Sequence, residues 1–413
     1  MSQKKTRMLT IIFIAAAACL IYAINGGIRS NYGILLSGVT KFSGVEYASV
    51  SFVFAVAQLM FGITQPVFGV LALKKSNAFV LCLGTVMAVI GLMIIPLCTS
   101  MWSLMIFLGI LMPSGLGALS FGVVMGAITP VLGQKTAATV SGLVSASSGL
   151  GSVVLSPLLN LMLTKSGLWG CMIALGVPTA FLIPISIWLS KAGQGTAVTA
   201  ENHDLSVKRM IAEAFQSRSY LLLLFAFFTC GFQMAIIETH LYSHMTSQGL
   251  SDSIAAYLFS IYGVTTMVGS VITGVLSSKF KMKWVAGVTF SLRLFIIGAF
   301  LALPKTLLNF GVFAALLGLT GSATVPPISG LTGKLFGPAR LATLFGLLMV
   351  SHQIGSFFSA WLGGVCITAT GSYTLIWLVS GCLAILAGVA CFLVKEPEAA
   401  KIAGVSVTNG CGT

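Results

Sequence analysis

From the N-terminus onward the chain alternates long apolar runs with short polar breaks. The runs lie at about 10–36, 47–72, 77–97, 101–129, 136–163, 168–190, 219–243, 253–277, 284–303, 307–330, 341–367 and 373–394. Each is about 20 residues or longer, enough for a helix to cross a bilayer and roughly twice what a barrel strand requires. The pattern predicts an all-α membrane protein of twelve transmembrane helices. Only one connection is long and polar, and it divides the chain. The expected organisation is a six-helix bundle over 1–190, a central loop over 191–218, a second six-helix bundle over 219–395 and a tail over 396–413.

The two halves match each other. A shift of 204 positions sets Ala138-Thr139, Gly142-Leu143, Ser147 and Gly151-Ser152 on Ala342-Thr343, Gly346-Leu347, Ser351 and Gly355-Ser356. A shift of 205 sets Gly26 on Gly231, Gly69-Val70-Leu71 on Gly274-Val275-Leu276, and Lys74 on Lys279. A near-constant shift across several spans predicts a duplicated unit. An even number of helices per unit makes the repeats parallel, related by an axis along the membrane normal.

Composition fits this reading, with 57% hydrophobic residues, 7% charged and a mean hydropathy of +1.03. A soluble domain needs about a quarter of its residues charged, so that class is excluded. The net charge of +14 does not indicate a nucleic-acid partner, because the basic residues lie in short loops between spans. Lys74, Lys75, Lys135, Lys191, Lys208, Arg209, Arg218, Lys279, Lys281, Lys283, Lys334 and Arg340 fall on the side of the termini, against Lys41, Lys165 and Lys305 on the other. The positive-inside rule then places both termini in the cytoplasm. The basic start, Met1 to Arg7, leads into a first helix expected to remain uncleaved. The nine cysteines show no CxxC pair and no metal-ligand spacing, so no metal or cofactor is expected. No HExxH, GxSxG or P-loop occurs, which argues against an enzyme.

Against this apolar background a few polar residues stand out. Arg29 interrupts the first span, where burial costs about 2.5 to 3.5 kcal/mol at a helix centre. Through the repeat it aligns with Met234, sixteen residues past Arg218 or roughly 24 Å of helix, beyond the membrane midplane. Two readings stand open: Arg29 faces an internal cavity and grips an anion, or it snorkels to headgroups. Asn25 and Tyr32, four before and three after it, share its helix face and complete a candidate carboxylate receptor. Arg293, within the ninth span, is a further candidate for the anion or a clamp on backbone carbonyls. His352 in the eleventh span is the first candidate proton carrier and Glu238 in the seventh, with His240 nearby, the second; each has an alternative reading, a structural hydrogen bond for the histidine, and pairing with Arg29 in the empty site or simple hydration for the acid. Two arginines against one acid leave the interior net positive. At about 4 Å and an effective dielectric of 20, an arginine–carboxylate pair gains roughly 4 kcal/mol before desolvation.

Several motifs resemble the major facilitator superfamily across essentially the whole chain. The inner-loop remnants Gly69-Val-Leu-Ala-Leu-Lys-Lys and Gly274-Val-Leu-Ser-Ser-Lys carry the likeness in both halves. Leu292-Arg293, Thr324-Val-Pro-Pro, Phe336-Gly-Pro, Ser351-His-Gln-Ile-Gly-Ser-Phe and Thr370-Gly-Ser-Tyr resemble the bacterial branch related to monocarboxylate transporters. The resemblance implies a cavity lined by helices 1, 4, 7 and 10, with helices 2, 5, 8 and 11 rocking between the halves. It also implies that Arg29 stands where monocarboxylate transporters use a basic residue in helix 1. Two features depart from the superfamily: Leu73 and Ser278 replace the acid of the inner loop, and helix 5 lacks the Gly-Pro pair of drug antiporters.

The expectation is therefore a secondary active transporter of a small organic anion, a monocarboxylate first, coupled to protons. It would act as a monomer in the bacterial inner membrane, with the bilayer as its only large partner. The alternatives are efflux or exchange of a larger amphipathic metabolite or drug, and a membrane sensor that does not transport. The topology has a direct test. A single cysteine placed at Gly195 should stay unlabelled by an impermeant thiol reagent applied to intact cells, and labelling from outside would reverse the orientation.

Overall fold

A computed structural model describes residues 2–132, 134–192 and 204–397. Part of the central connection, 193–203, and the tail from 398 onward lie outside the described residues. Among the described residues, eleven stretches are long and apolar enough to cross a membrane. Ten are single spans: α1 (Met8–Ser30), α2 (Tyr47–Ala72), α3 (Asn77–Leu97), α4 (Met101–Thr129), then α7 (Arg218–Ser247), α8 (Asp252–Lys279), α9 (Met282–Ala302), α10 (Leu307–Phe336), α11 (Thr343–Thr370) and α12 (Thr374–Leu393). The remaining stretch, Gly142–Leu189, has 48 residues, roughly 70 Å of helix and more than twice the bilayer's apolar thickness. It breaks at Gly167, whose φ of 64° and ψ of −158° reverse the chain into α5 (142–166) and α6 (168–189). With that stretch divided at Gly167, the described residues hold twelve helical spans.

Two local differences from the sequence expectation have physical causes. The first span does not run unbroken to 36: α1 stops at Ser30, Asn31 turns, and a second helix covers Tyr32–Ser43. Asn31 fills the gap by donating from Nδ2 to the Gly27 carbonyl at 2.7 Å. The connection expected as loop over 191–218 contains a helix, Asp204–Gln216, that buries Ala214 and carries an Arg209–Glu213 pair one turn apart.

Packing repeats with the same shift that relates the two sequences. In the first half, α1 crosses α5 where a Cβ on Gly151 would run into the Ala23 carbonyl, and Ser147 Oγ donates to Cys19 O at 2.9 Å. In the second, α7 crosses α11 where a Cβ on Gly355 would run into the Phe228 carbonyl, and Ser351 Oγ donates to Leu224 O at 2.9 Å. Helices 3 and 6, and 9 and 12, pair on the periphery and turn Val86, Ile173, Phe295 and Leu386 outward. Between the halves α2 meets α11 and α5 meets α8, with Gly62 against Gln353 and Gly149 against Met267.

The two ends of the molecule differ. At the end away from the termini one continuous apolar core joins the halves, with Leu36, Phe54 and Leu159 packed among Ile237, Phe259 and Trp377. At the end that carries the termini the core splits. One cluster around Ile14, Val124 and Leu189 belongs to the first half, and another around Tyr220, Phe227 and Leu344 belongs to the second. Ion pairs at this end, Lys334–Glu396 at 2.7 Å and Arg340–Glu213 at 2.9 Å, stay within the second half and its leading helix. Burial pushes the Glu396 carboxyl up. The hydrogen bond from Lys334 and those from the Lys283 and Met282 amides outweigh it and hold the group below its ordinary range. The structure is thus closed at one end and parted at the other.

The close crossings make a specific demand on side-chain size. Gly231→Ala would place a Cβ on the His352 carbonyl, an overpacking that costs about 1 to 3 kcal/mol. Gly346, exposed on α11 with open space around it, should accept Ala with no loss. Melting temperatures of the two variants in detergent should fall for Gly231→Ala alone.

Candidate functional site

Arg29 occupies the last turn of α1, half-buried, at the level where the joined core begins. Its guanidinium carbon lies 3.8 Å from the centre of the Phe61 ring on α2. Nη2 donates to Gln58 Oε1 at 3.0 Å, while Nε is buried with no hydrogen-bond partner. Gln58 itself is fully buried and donates from Nε2 to Glu238 Oε2 at 3.4 Å. An arginine, an amide and a carboxylate therefore form a chain from α1 through α2 to α7, across the boundary between the halves. Glu238 sits in a π-helical turn, Ile237–Leu241, a local widening frequent at functional sites. The arrangement can hold an anion, because a guanidinium on an aromatic face still offers planar donors to a carboxylate.

The expected face of Asn25, Arg29 and Tyr32 does not form. Asn25 is buried, and its Nδ2 donates to the Leu116 and Leu119 carbonyls at 2.8 and 2.9 Å. Those carbonyls belong to a break in α4, between the helices Met112–Ala118 and Phe121–Leu132, so Asn25 secures a helix end. Tyr32 follows the turn at Asn31 and packs on Phe54, ring centres 4.9 Å apart, with its hydroxyl buried and unpartnered. Of the three, only Arg29 remains on the candidate site.

Arg293 acts as Asn25 does, in the other half. It is buried, donates from Nη1 to Gln233 Oε1 at 2.5 Å, and from Nη2 to the carbonyls of Thr320 and Gly321, the latter at 2.6 Å. These carbonyls end the first part of α10, which passes through a 3-10 turn at Ser322–Thr324 before restarting at Val325 with two prolines. The 204-residue shift puts Leu116 on Thr320, so both halves break the equivalent helix and hold the break from a neighbour. A buried cation suits a helix C-terminus, where the carbonyl dipoles are negative.

His352 lies at the α7–α11 crossing, its ring 5.2 Å from that of Phe227 and its Nδ1 unpartnered. The crossing fixes its backbone, and Ser356 Oγ donates to its carbonyl at 3.1 Å. His240 proves to be part of the closed end. Its Nδ1 meets the Tyr47 hydroxyl at 2.9 Å and its Nε2 meets Ala360 O at 2.8 Å. These partners fix the tautomer: Nε2 carries the proton and Nδ1 accepts. Tyr47 also reaches the Tyr373 hydroxyl at 3.1 Å, and beside it Trp377 Nε1 donates to His244 Nδ1 at 3.1 Å. Among the described residues, hydrogen bonds between the halves join Tyr47, Gln58, Val153 and Asn160 to partners on α7, α8 and the start of α12. All lie toward the closed end. Gln58, Phe61 and Tyr47 escaped the sequence reading because nothing marks an uncharged amide or a ring in an apolar span.

Two parallel six-helix halves, closed at one end and parted at the other around a cationic centre, define a transporter that exposes one site to alternate sides. Comparison with known proteins gives the family: the model of the Major Facilitator Superfamily matches residues 18–308 and 223–407, and the chain belongs to that superfamily. It is 23% identical over 379 residues to monocarboxylate transporter 13 of Rattus norvegicus, covering 88% of this chain and 83% of that protein. It is 23% identical to monocarboxylate transporter 12 of Homo sapiens, covering 81% of this chain and 71% of that protein. The fold matches the crystal structure of a D-xylose-proton symporter with a TM-score of 0.73 at 12% identity, over 95% of this chain and 98% of that one. The protein is a superfamily transporter related to the monocarboxylate transporters.

The closed end should weaken when Tyr47 loses its hydroxyl. Tyr47→Phe leaves His240 Nδ1 buried without a donor, at about 1 to 3 kcal/mol. Spin labels at Lys165 and Leu308, exposed on opposite halves at that end, should report a longer-distance population in the variant than in the parent protein.

Proposed function

We propose that the protein carries a small organic anion, in the first instance a monocarboxylate, together with a proton by alternating access. Arg29 carries this reading: a permanent cation at the boundary of the halves, with a buried donor left unpartnered and an aromatic floor beneath it. The mammalian relatives, monocarboxylate transporters 13 and 12, support the same solute class. Loop charge assigns the termini to the cytoplasm, so the parted end faces inward and this conformation is open to the cytoplasm, in a bacterial inner membrane. Asn25 and Arg293 act as positioning residues for the broken helices α4 and α10.

Proton coupling follows from the membrane potential. A lone anion entering a negative-inside cell is opposed by about 2.3 kcal/mol per 100 mV, and one accompanying proton removes that term. The order expected from sequence is reversed here: Glu238 is the first carrier, because it is linked through Gln58 to the cation that receives the solute. His352, buried with a free Nδ1, is the second.

In proteoliposomes Arg29→Ala should lower flux at least about tenfold without loss of insertion, and Arg29→Lys should restore only part, since it lacks the planar fork. Inward flux in the parent protein should rise as external pH falls, with Glu238→Gln abolishing the response and His352→Ala reducing it. Normal flux from well-inserted Arg29→Ala would overturn the anion site, and pH-independent flux in the parent would remove the proton.

A further inference from the structure

Gln58 has the geometry of a stand-in. Its Oε1 accepts from Arg29 Nη2 at 3.0 Å, the place a carboxylate oxygen of a bound solute would take. Its Nε2 faces Glu238 Oε2 at 3.4 Å. An amide is an uncharged side chain that can accept from a cation and donate to an anion at once, and these two partners fix which way it points. Buried between them, Gln58 bridges the two groups without adding charge and leaves Arg29 Nε unpartnered.

We propose that Gln58 is a positioning residue that holds the carboxylate's place on Arg29 and yields it to the solute, thereby releasing Glu238. The inference rests on the carboxylate reading of Arg29 and adds the device that makes binding felt by the other half. Arg29 and Gln58 belong to the first half, and Glu238 belongs to the second. A carboxylate on Nη2 displaces Oε1. The amide must then move, and its bond to Glu238, one of the few that hold the halves together, breaks with it. The solute thus acts on a contact between the halves that it need not touch. Its differential affinity for the two states comes from the bond it severs, as any ligand-driven change of state requires. An internal competitor also weakens apparent affinity, because only the fraction of protein with Arg29 released can bind.

Two variants move binding in opposite directions. Gln58→Ala removes the competitor and should tighten binding of a small carboxylate by about threefold or more. Gln58→Glu puts a permanent carboxylate on Arg29 and should weaken binding at least about tenfold. Gln58→Met, close in shape to the native residue, replaces the Ala variant if that one fails to fold. The probes are acetate, propionate, pyruvate and L-lactate, titrated against purified full-length protein and read as the rise in melting temperature. A purely structural amide would orient Arg29, and its loss would weaken binding in both variants. Equal effects, or weakening by Ala, therefore overturn the stand-in role alone. If the parent protein answers none of the four probes, the carboxylate reading of Arg29 fails and this inference falls with it.

Discussion

A guanidinium cannot give up its proton, and in an apolar span its charge must be answered by geometry. Arg29 meets that constraint with one aromatic face, one amide oxygen and, through the amide, one carboxylate on the opposite half. Much of the architecture follows from where those groups must stand. Arg29 stands in the last turn of α1, which ends at Ser30, and the turn at Asn31 is held by its own side chain. Glu238 meets Gln58 from a π-helical turn in α7. Arg293 answers the same constraint differently, with the carbonyl end of a broken helix, and so becomes part of the scaffold.

The duplicated scaffold explains how such a site can be exposed to alternate sides. Within each half, helices cross backbone to backbone at glycine, Gly151 on Ala23 and Gly355 on Phe228, which makes each half a rigid unit. Between the halves, helices also approach closely at glycine, Gly149 on Gly263 and Gly62 on Gln353. The side-chain hydrogen bonds across this boundary, from Tyr47 with His240 and Tyr373 to Asn160 with Ser253, lie toward one end. Hydrogen bonds of this sort contribute about 1 kcal/mol each, so the closed end can open without unpacking either bundle.

The fold was legible in the sequence because its determinants are periodic. Span length, loop charge and the 204-residue shift are sums over many residues, and the Ser147 and Ser351 contacts repeat as the shift requires. The site was legible only where a residue violated the background. Arg29, Glu238 and Arg293 stand out as charges in apolar helices, yet the pattern could not tell a solute-facing arginine from one that clamps carbonyls. That distinction depends on the break in α10, which is set by tertiary packing. The face shared by Asn25, Arg29 and Tyr32 failed for two reasons: the break at Asn31 separates Tyr32 from Arg29, and the carbonyls of the broken α4 engage the Asn25 amide. Gln58 was invisible because an uncharged amide does not violate the background: Gln65, seven residues on, is the same residue type but only half-buried, whereas Gln58 is fully buried.

The central claim is that Arg29 selects a solute by its negative charge. The most direct measurement compares acids with their primary amides, pyruvate with pyruvamide and lactate with lactamide, by calorimetric binding to the purified protein at fixed ionic strength. Each pair matches in shape and differs in charge. The account predicts heat of binding from the acids that saturates at one site per chain, and none from the amides. Amides that bind as tightly as their acids would contradict it.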